Sequence, residues 1–432
     1  MPRRGKSADR LGPIDPTEYT ACFEYRNGRL RCEEVALDEI AERAGTPTYV
    51  YSRGSIEGAY RRFDRALRAI PHTICYSVKA NSNLAVLRAL ARLGSSFDIV
   101  SGGELERLRR IGVAAKRIVF SGVGKTSEEI REALRAGILL FNVESEEELG
   151  ILEWEAARLR RIAPAALRVN PDVEAGAHPH ISTGHHRHKF GVDWEDAGRL
   201  YVTWRGSRWI SWQGISAHIG SQILDLSKFD RAVSRMAAFV RKIARAGVEL
   251  DYFDFGGGLG IRYTTEKPPK LEAYARTLVR AVRPLGCRLL LEPGRSLAGP
   301  AGILLTRVLY TKRSRGKNFV VVDAAMNDLI RPALYGAVHP ITRVMLPLAG
   351  AEIHSVDVVG PVCETGDCFL KDWAMPEVEA GDLLAIWNAG AYGFVMASQY
   401  NSRPRPAEVI VEGRRFRVVR RRESRADLLR GE

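Results

Sequence analysis

FDIVSGGELERLRRIGVAAKRIVFSGVGKTSEEIREALRAGILLFNVESEEELG, residues 97–150, holds three short apolar runs, FDIV (97–100), RIVFS (117–121) and LLFNV (139–143), separated by segments of helical periodicity. Between the second and third runs, Ser127–Ala136 reads as a helix, with Ser127 placed to cap it and Gly137 to end it. Working outward, the same alternation yields ICYSV (74–78) on one side and AALRV (165–169), GISAHI (214–219), YFDFG (252–256) and RLLLE (288–292) on the other. Ile56, Tyr60, Phe63, Leu67 and Ile70 mark a further helical face ahead of them. Eight strand–helix units predict a closed parallel (β/α)8 barrel over residues 47–298.

The flanks read differently. CFEYRNGRLRC (22–32) sets Asn27-Gly28 between alternating segments, a strong type I′ hairpin signal. After residue 300 the runs ILLTRVLY, NFVVV, HSVDVV, LLAIW and EVIV follow one another without long helices. They predict a mainly antiparallel β domain built from both chain ends, 1–46 and 299–432. The formal charge of +14 invites a nucleic-acid partner, but the arginines are spread along the chain. Their densest cluster, from Arg414 to Arg425, falls where Val409, Val411, Phe416 and Val418 alternate around Gly413, which predicts a solvated basic hairpin. No apolar run approaches the roughly 20 residues of a membrane helix, and the first residues lead into no apolar signal core. The six cysteines, Cys22, Cys32, Cys75, Cys287, Cys363 and Cys368, form neither a dense disulfide framework nor CxxC pairs. A cytoplasmic protein with free thiols, no metal and no membrane or nucleic-acid partner is expected.

In such barrels the reactive groups stand at the C-terminal ends of the strands. Just past the predicted strands lie Lys79 with Asn81, Asp98 with Ser101 and Glu104, Arg168 with Asn170, His218 with Ser221, Gly256 to Gly258, and Glu292 with Arg295. A lysine amine can form a Schiff base with an aldehyde cofactor. A run of three glycines can turn its backbone N–H groups toward a phosphate, and an imidazole can stack on a flat ring. A carboxylate after RLLL is costly to bury alone, whereas opposite a pyridine nitrogen it keeps that ring protonated.

YSVKAN (76–81), FDIVSGGE (97–104), SAHIGSQ (216–222), DFGGGLG (254–260), EPGR (292–295), GPVCETGD (360–367) and NAGAYG (388–393) follow in an order that resembles the diaminopimelate decarboxylases, in the alanine-racemase-like fold group of pyridoxal-phosphate enzymes. The resemblance runs from about Thr46 to the C-terminus. It implies pyridoxal 5′-phosphate as cofactor, Lys79 as the Schiff-base lysine, His218 stacked on the ring and Glu292 on the pyridine nitrogen. It further implies a phosphate site of Ser221, Gly258 and the Glu292-Pro293-Gly294-Arg295 turn, with Tyr392 near both cofactor and substrate. Cys363 would return a proton to carbon after loss of carbon dioxide. Arg295, Arg331, Tyr335, Glu364 and Tyr392 would contact the substrate, and Cys363 and Glu364 would reach the partner's site across a homodimer.

The implied substrate, meso-diaminopimelate, carries an ammonium and a carboxylate at its far end. Arg331 and Glu364 are the pair that would receive them, the arginine binding the planar carboxylate bidentately. Ornithine, arginine or a carboxylated polyamine would be the substrate of a same-fold decarboxylase without a working arginine there. Racemases of the group commonly place an arginine at the position of Glu292, and a non-catalytic cofactor carrier would need neither the β domain nor Cys363. One stretch departs from the family pattern: Thr183-Gly184-His185-His186-Arg187-His188 precedes Lys189-Phe190-Gly191 where relatives show a lysine- and serine-containing turn. With no carboxylate beside them, these histidines are expected to form a loop near the site's mouth rather than a metal centre.

Overall fold

The computed structural model describes residues 14–173, 189–348 and 350–432, so the predicted loop at residues 183–188 lies outside the described residues. The chain divides into two units, one of Ala59–Ile261 with Lys267–Ser296, the other of the residues up to Gly58 with Arg262–Glu266 and Leu297–Glu432.

The first unit is the closed barrel. Its strands are His72–Ser77, Ser96–Ile99, Ile118–Phe120, Leu140–Val143, Ala163–Arg168, Ile210–Ser216, Tyr252–Asp254 and Arg288–Leu291, paired in chain order. The last closes on the first in parallel register, Leu289 opposite His72 and Leu291 opposite Ile74. Cys75, Val119, Leu140, Ala166 and Leu290 fill one core cluster of the barrel with no exposed surface. Each is an apolar side chain on a strand that has lost its water on both faces, hence the near-continuous apolar runs. Polar caps start the following helices: Asn83, Ser101, Ser145 and Asp225 each accept a backbone N–H of the first turn. Ser127–Ala136 is a helix as expected, ended by Gly137 in the left-handed region, but its cap is Thr126 and not Ser127. Thr126 and Glu129 form a reciprocal capping box, which a serine followed at the third position by Ile130 could not.

The second unit holds a three-stranded sheet and a nine-stranded one. Phe23–Arg26 and Arg29–Cys32 form the expected hairpin, with Asn27 and Gly28 at φ 52° and 77°, the signature of a type I′ turn. In the larger sheet Gly302–Ser314 pairs antiparallel with Lys317–Val322, Leu383–Ile386 and Thr48–Ser52. Thr48–Ser52 falls within the range expected for the barrel, yet it is a central strand here, bonded on its other side to Ala407–Glu412. All five of its residues are buried, so its apolar run is indistinguishable by periodicity from a barrel strand. Val50, Ile303, Leu305, Trp387, Val409 and Val411 pack with Leu30, Cys32 and Leu37 into this unit's core. The basic hairpin is present, Ala407–Glu412 against Arg415–Arg420 around Gly413 at φ 58°. Among the described residues no helix is long and apolar enough to cross a membrane.

Candidate active site

Parallel closure brings the C-terminal strand ends of the barrel together, and the polar residues of several strands converge there. Lys79 follows the strand His72–Ser77 in a single 3₁₀ turn. Its Nζ donates to Asp98 Oδ2 at 3.0 Å, and the Ser77 hydroxyl donates to the same oxygen at 2.7 Å. Asp98 is fully buried, and its other oxygen accepts no hydrogen bond among the described residues.

Glu292 directly follows the last barrel strand and is also buried. Asn142 Nδ2 donates to Asp254 Oδ2 at 2.8 Å and lies 3.4 Å from Glu292 Oε1, with the Ser121 hydroxyl equally 3.4 Å from that oxygen. Asp254 Oδ1 accepts the Gly256 N–H at 3.0 Å. Asp254 and Glu292 thus share the Asn142 amide as a neighbour. Burial first, then the charges of Asp254 and Asp98, push Glu292 well above the ordinary carboxylate range, with Lys79 opposing. Burial raises Asp254 as well. Two carboxyls in one dry site cannot both ionise at little cost, so the pair favours a proton or a cation beside it.

His218 Nδ1 accepts the Gly257 N–H at 3.1 Å, which leaves the ring hydrogen on Nε2. Burial, then Arg168 and Lys79, hold this imidazole well below its usual range, so it is a neutral flat ring. The glycine turn has no room for side chains. A Cβ on Gly257 would stand 2.4 Å from the Glu292 carbonyl oxygen, and one on Gly258, at φ +103°, 2.5 Å from the Gly220 carbonyl oxygen. Ser221 Oγ accepts from Arg295 Nε at 3.3 Å and Nη2 at 3.0 Å. Pro293 and Gly294, both buried, turn the chain from the strand into the short helix Arg295–Ala298, and the Pro293 carbonyl accepts the Ser77 N–H.

Asn142, Asp254 and Ser121 are not among the strand-end residues expected above, and Arg168, which is, belongs to a second buried network. Arg168 Nη1 donates to Glu144 at 2.8 Å, and Glu144 also accepts the N–H groups of Gly122 and Gly191. Glu148 receives Lys125 Nζ at 2.7 Å. Phe190, which follows the stretch that departs from the family pattern, lies with its ring 4.8 Å from the Arg168 guanidinium.

The other expected residues belong to the second unit. Arg331 is buried, donates through Nε to His339 and through Nη2 to the Tyr263 hydroxyl, and lies 5.7 Å from the Tyr335 ring. Tyr392 and Asn388 both take left-handed backbone, at φ 55° and 56°. Cys363 and Glu364 are exposed. The Cys363 N–H donates to Asn401 Oδ1. The expected set thus falls into two clusters, Lys79, His218, Ser221, Gly258, Glu292, Pro293, Gly294 and Arg295 in the barrel unit and Arg331, Tyr335, Cys363, Glu364 and Tyr392 in the other.

Residues 53–299 match the family model for the pyridoxal binding domain of pyridoxal-dependent decarboxylases. The diaminopimelate decarboxylase of Pseudomonas fluorescens is 51% identical, over 95% of this chain and 98% of its own length. The crystal structure of diaminopimelate decarboxylase from Helicobacter pylori complexed with L-lysine has a TM-score of 0.88 at 43% identity, over 91% of this chain and 98% of that one. The corresponding enzyme from M. jannaschii in co-complex with L-lysine has a TM-score of 0.90 at 37% identity, over 95% and 97%.

The barrel residues fit pyridoxal phosphate on their own chemistry. A protonated ring nitrogen is the cation that the Asp254–Glu292 pair favours, and a glycine turn that excludes any Cβ lets backbone N–H groups approach a phosphate. The Lys79 amine is a group of the kind that condenses with an aldehyde.

Proposed function

This chain belongs to the diaminopimelate decarboxylases, pyridoxal-dependent carboxy-lyases, and from that premise we propose how its residues convert meso-2,6-diaminopimelate to L-lysine and carbon dioxide. Pyridoxal phosphate, when bound, supplies the electron-withdrawing ring that takes up the electrons of the broken carbon–carbon bond. Lys79 would hold it through the aldehyde carbon, and Asp98, which binds the Lys79 ammonium, keeps that amine at the strand end. Glu292 would hold the proton on the ring nitrogen. His218, neutral and pinned by the Gly257 N–H, would present its flat face to the ring. Arg295, Ser221 and the Gly258 backbone would hold the phosphate, with Pro293 and Gly294 setting the turn and Tyr392 beside it.

In the second unit, Arg331 would take the distal carboxylate and Glu364 the distal ammonium, with Tyr335, Tyr392 and Arg295 completing the substrate contacts. The Cys363 thiol would deliver the proton to the carbon that carbon dioxide leaves. We further propose a homodimer in which Cys363 and Glu364 are given to the partner's site, a reading supported by the exposure of both on one chain. The six cysteines are thiols rather than disulfides, which suits the cytoplasm.

The observation that carries this assignment is the pairing, at one end of the barrel, of an amine held on Asp98 with a buried Glu292 that favours a cation. Carbon dioxide release by the purified protein with pyridoxal phosphate should occur with meso-diaminopimelate and not with ornithine, lysine or arginine. Release from one of those instead would overturn the Arg331–Glu364 pocket. Mixing the inactive K79A and C363A proteins should restore up to about a quarter of wild-type activity, since a two-fold dimer of one chain each keeps one intact site; no recovery would place Cys363 in its own chain's site.

A further inference from the structure

The Arg331 guanidinium is held by a buried base that none of the assignments above uses. Arg331 Nε donates to His339 Nε2 at 3.2 Å, and His339 Nδ1 lies 2.7 Å from the Trp387 carbonyl oxygen. A carbonyl has no hydrogen to give, so Nδ1 carries the ring hydrogen and Nε2 is left as the acceptor that the Arg331 Nε–H requires. His339 and Trp387 are wholly buried, and Arg331 is 5% exposed. The far side of this lock is itself anchored, because the Trp387 indole N–H donates to the Thr342 hydroxyl at 2.9 Å. Tyr263 holds the other edge of the guanidinium at 3.3 Å, and its ring meets His339 edge-on with centroids 5.2 Å apart.

We propose that His339 is a positioning residue that fixes the plane of the Arg331 guanidinium, and thereby sets the preference for ligands bearing a carboxylate at the end remote from the cofactor. A planar fork already held at Nε is ordered before the ligand arrives, so less freedom is lost on binding. The inference rests on the assignment of the distal carboxylate to Arg331.

Holoenzyme titrated calorimetrically with L-lysine and with 1,5-diaminopentane separates the possibilities. With its ε-amine toward the cofactor, L-lysine places its carboxylate at the remote end, whereas the diamine has the same chain and no carboxylate. H339N keeps a donor for the Trp387 carbonyl, but its amide stops short of Arg331 Nε. It should weaken L-lysine about tenfold, leave the diamine within about twofold, and raise KM for diaminopimelate with little change in kcat. H339Q, whose amide oxygen reaches the position of Nε2, should restore most of the L-lysine affinity. Should H339N fail to fold, Y263F removes one hydroxyl from the other edge and should shift the same ratio about threefold. Equal loss for both ligands, or loss for neither, overturns the proposal. R331Q tests the premise separately. If it leaves the lysine-to-diamine ratio unchanged, the Arg331 assignment falls and takes the proposal with it. If it collapses the ratio while H339N does not, the role of His339 alone falls.

Discussion

Consider Glu292→Gln in the cofactor-free protein. The native carboxyl is 7% exposed, receives Asn142 and Ser121 only at 3.4 Å, and faces Asp254, itself fully buried. Its protonation constant is raised in the folded state by burial and by Asp254, so native protein binds more protons than unfolded protein above the ordinary glutamate range. Stability contributed by the protonated form is therefore complete below the unfolded pKa and is lost as pH rises toward the native one. Glutamine carries no such penalty, and its amide can donate to Asp254. The variant should be more stable at pH 8 by roughly 1–3 kcal/mol, the cost of a poorly satisfied buried polar group. That corresponds to a rise in Tm of about 2–10 °C for a unit of this size, and the gain should vanish near pH 4.5. The same substitution removes the charge that would hold the ring proton, a loss of the order of 3–4 kcal/mol, or about 10²–10³ in kcat. Thermal melts of the cofactor-free protein at both pH values, with steady-state kinetics of the loaded enzyme, test the two halves. A lower Tm for the variant at pH 8 would mean that Glu292 sits in a favourable ion pair, and a kcat within about threefold of wild type would remove its charge from the reaction.

Gly258→Ala should bind pyridoxal phosphate at least about 30-fold more weakly, because φ +103° and an overlap at 2.5 Å with the Gly220 carbonyl together cost roughly 2–5 kcal/mol, read by fluorescence titration of the cofactor. Unchanged affinity would take the glycine turn out of the phosphate site. Cys363→Ala should keep the absorption band of the bound cofactor while lowering kcat, and an unchanged rate would exclude the thiol as proton donor. Glu104, pushed up to about 7 chiefly by burial, accepts the Val100 N–H at 2.8 Å. Cofactor-free protein should accordingly lose up to about 3 kcal/mol between pH 4.5 and 7 that Glu104→Gln retains; parallel stability curves for the two would show that the carboxyl is ionised without penalty.

Local signals account for what was legible in advance. Asn27-Gly28 is legible because a type I′ turn needs two positive φ values in succession, and the barrel is legible because strands buried on both faces must be apolar throughout. That second rule also hides things. TYVYS obeys it as well as any barrel strand does, although Thr48–Ser52 pairs in the other sheet, because burial on both faces carries no record of which partner strands do the burying. The cap of Ser127–Ala136 was readable, since a threonine three positions before a glutamate is the capping-box pattern and a serine three before an isoleucine is not.

The candidate site shows the same division between what stands at a strand end and what stands inside a strand. Lys79, His218 and Glu292 come just past the last residue of their strands, where a polar side chain announces itself. Asn142 and Asp254 lie within LLFNV and YFDF, and were absorbed into the apolar runs that surround them. Yet a polar side chain in a strand with both faces buried must be paired at a cost of several kcal/mol if it is not, so its presence there was itself the signal. What it could not disclose is the partner, because Asn142 meets Asp254 and Glu292 from three different strands. His339 escaped for the same reason. It follows Arg331 by eight residues in a loop, and only the fold brings its acceptor nitrogen to the guanidinium and its donor nitrogen to the carbonyl of Trp387. A chain therefore shows which reactive groups it possesses at strand ends well before it shows which buried neighbours hold them in place.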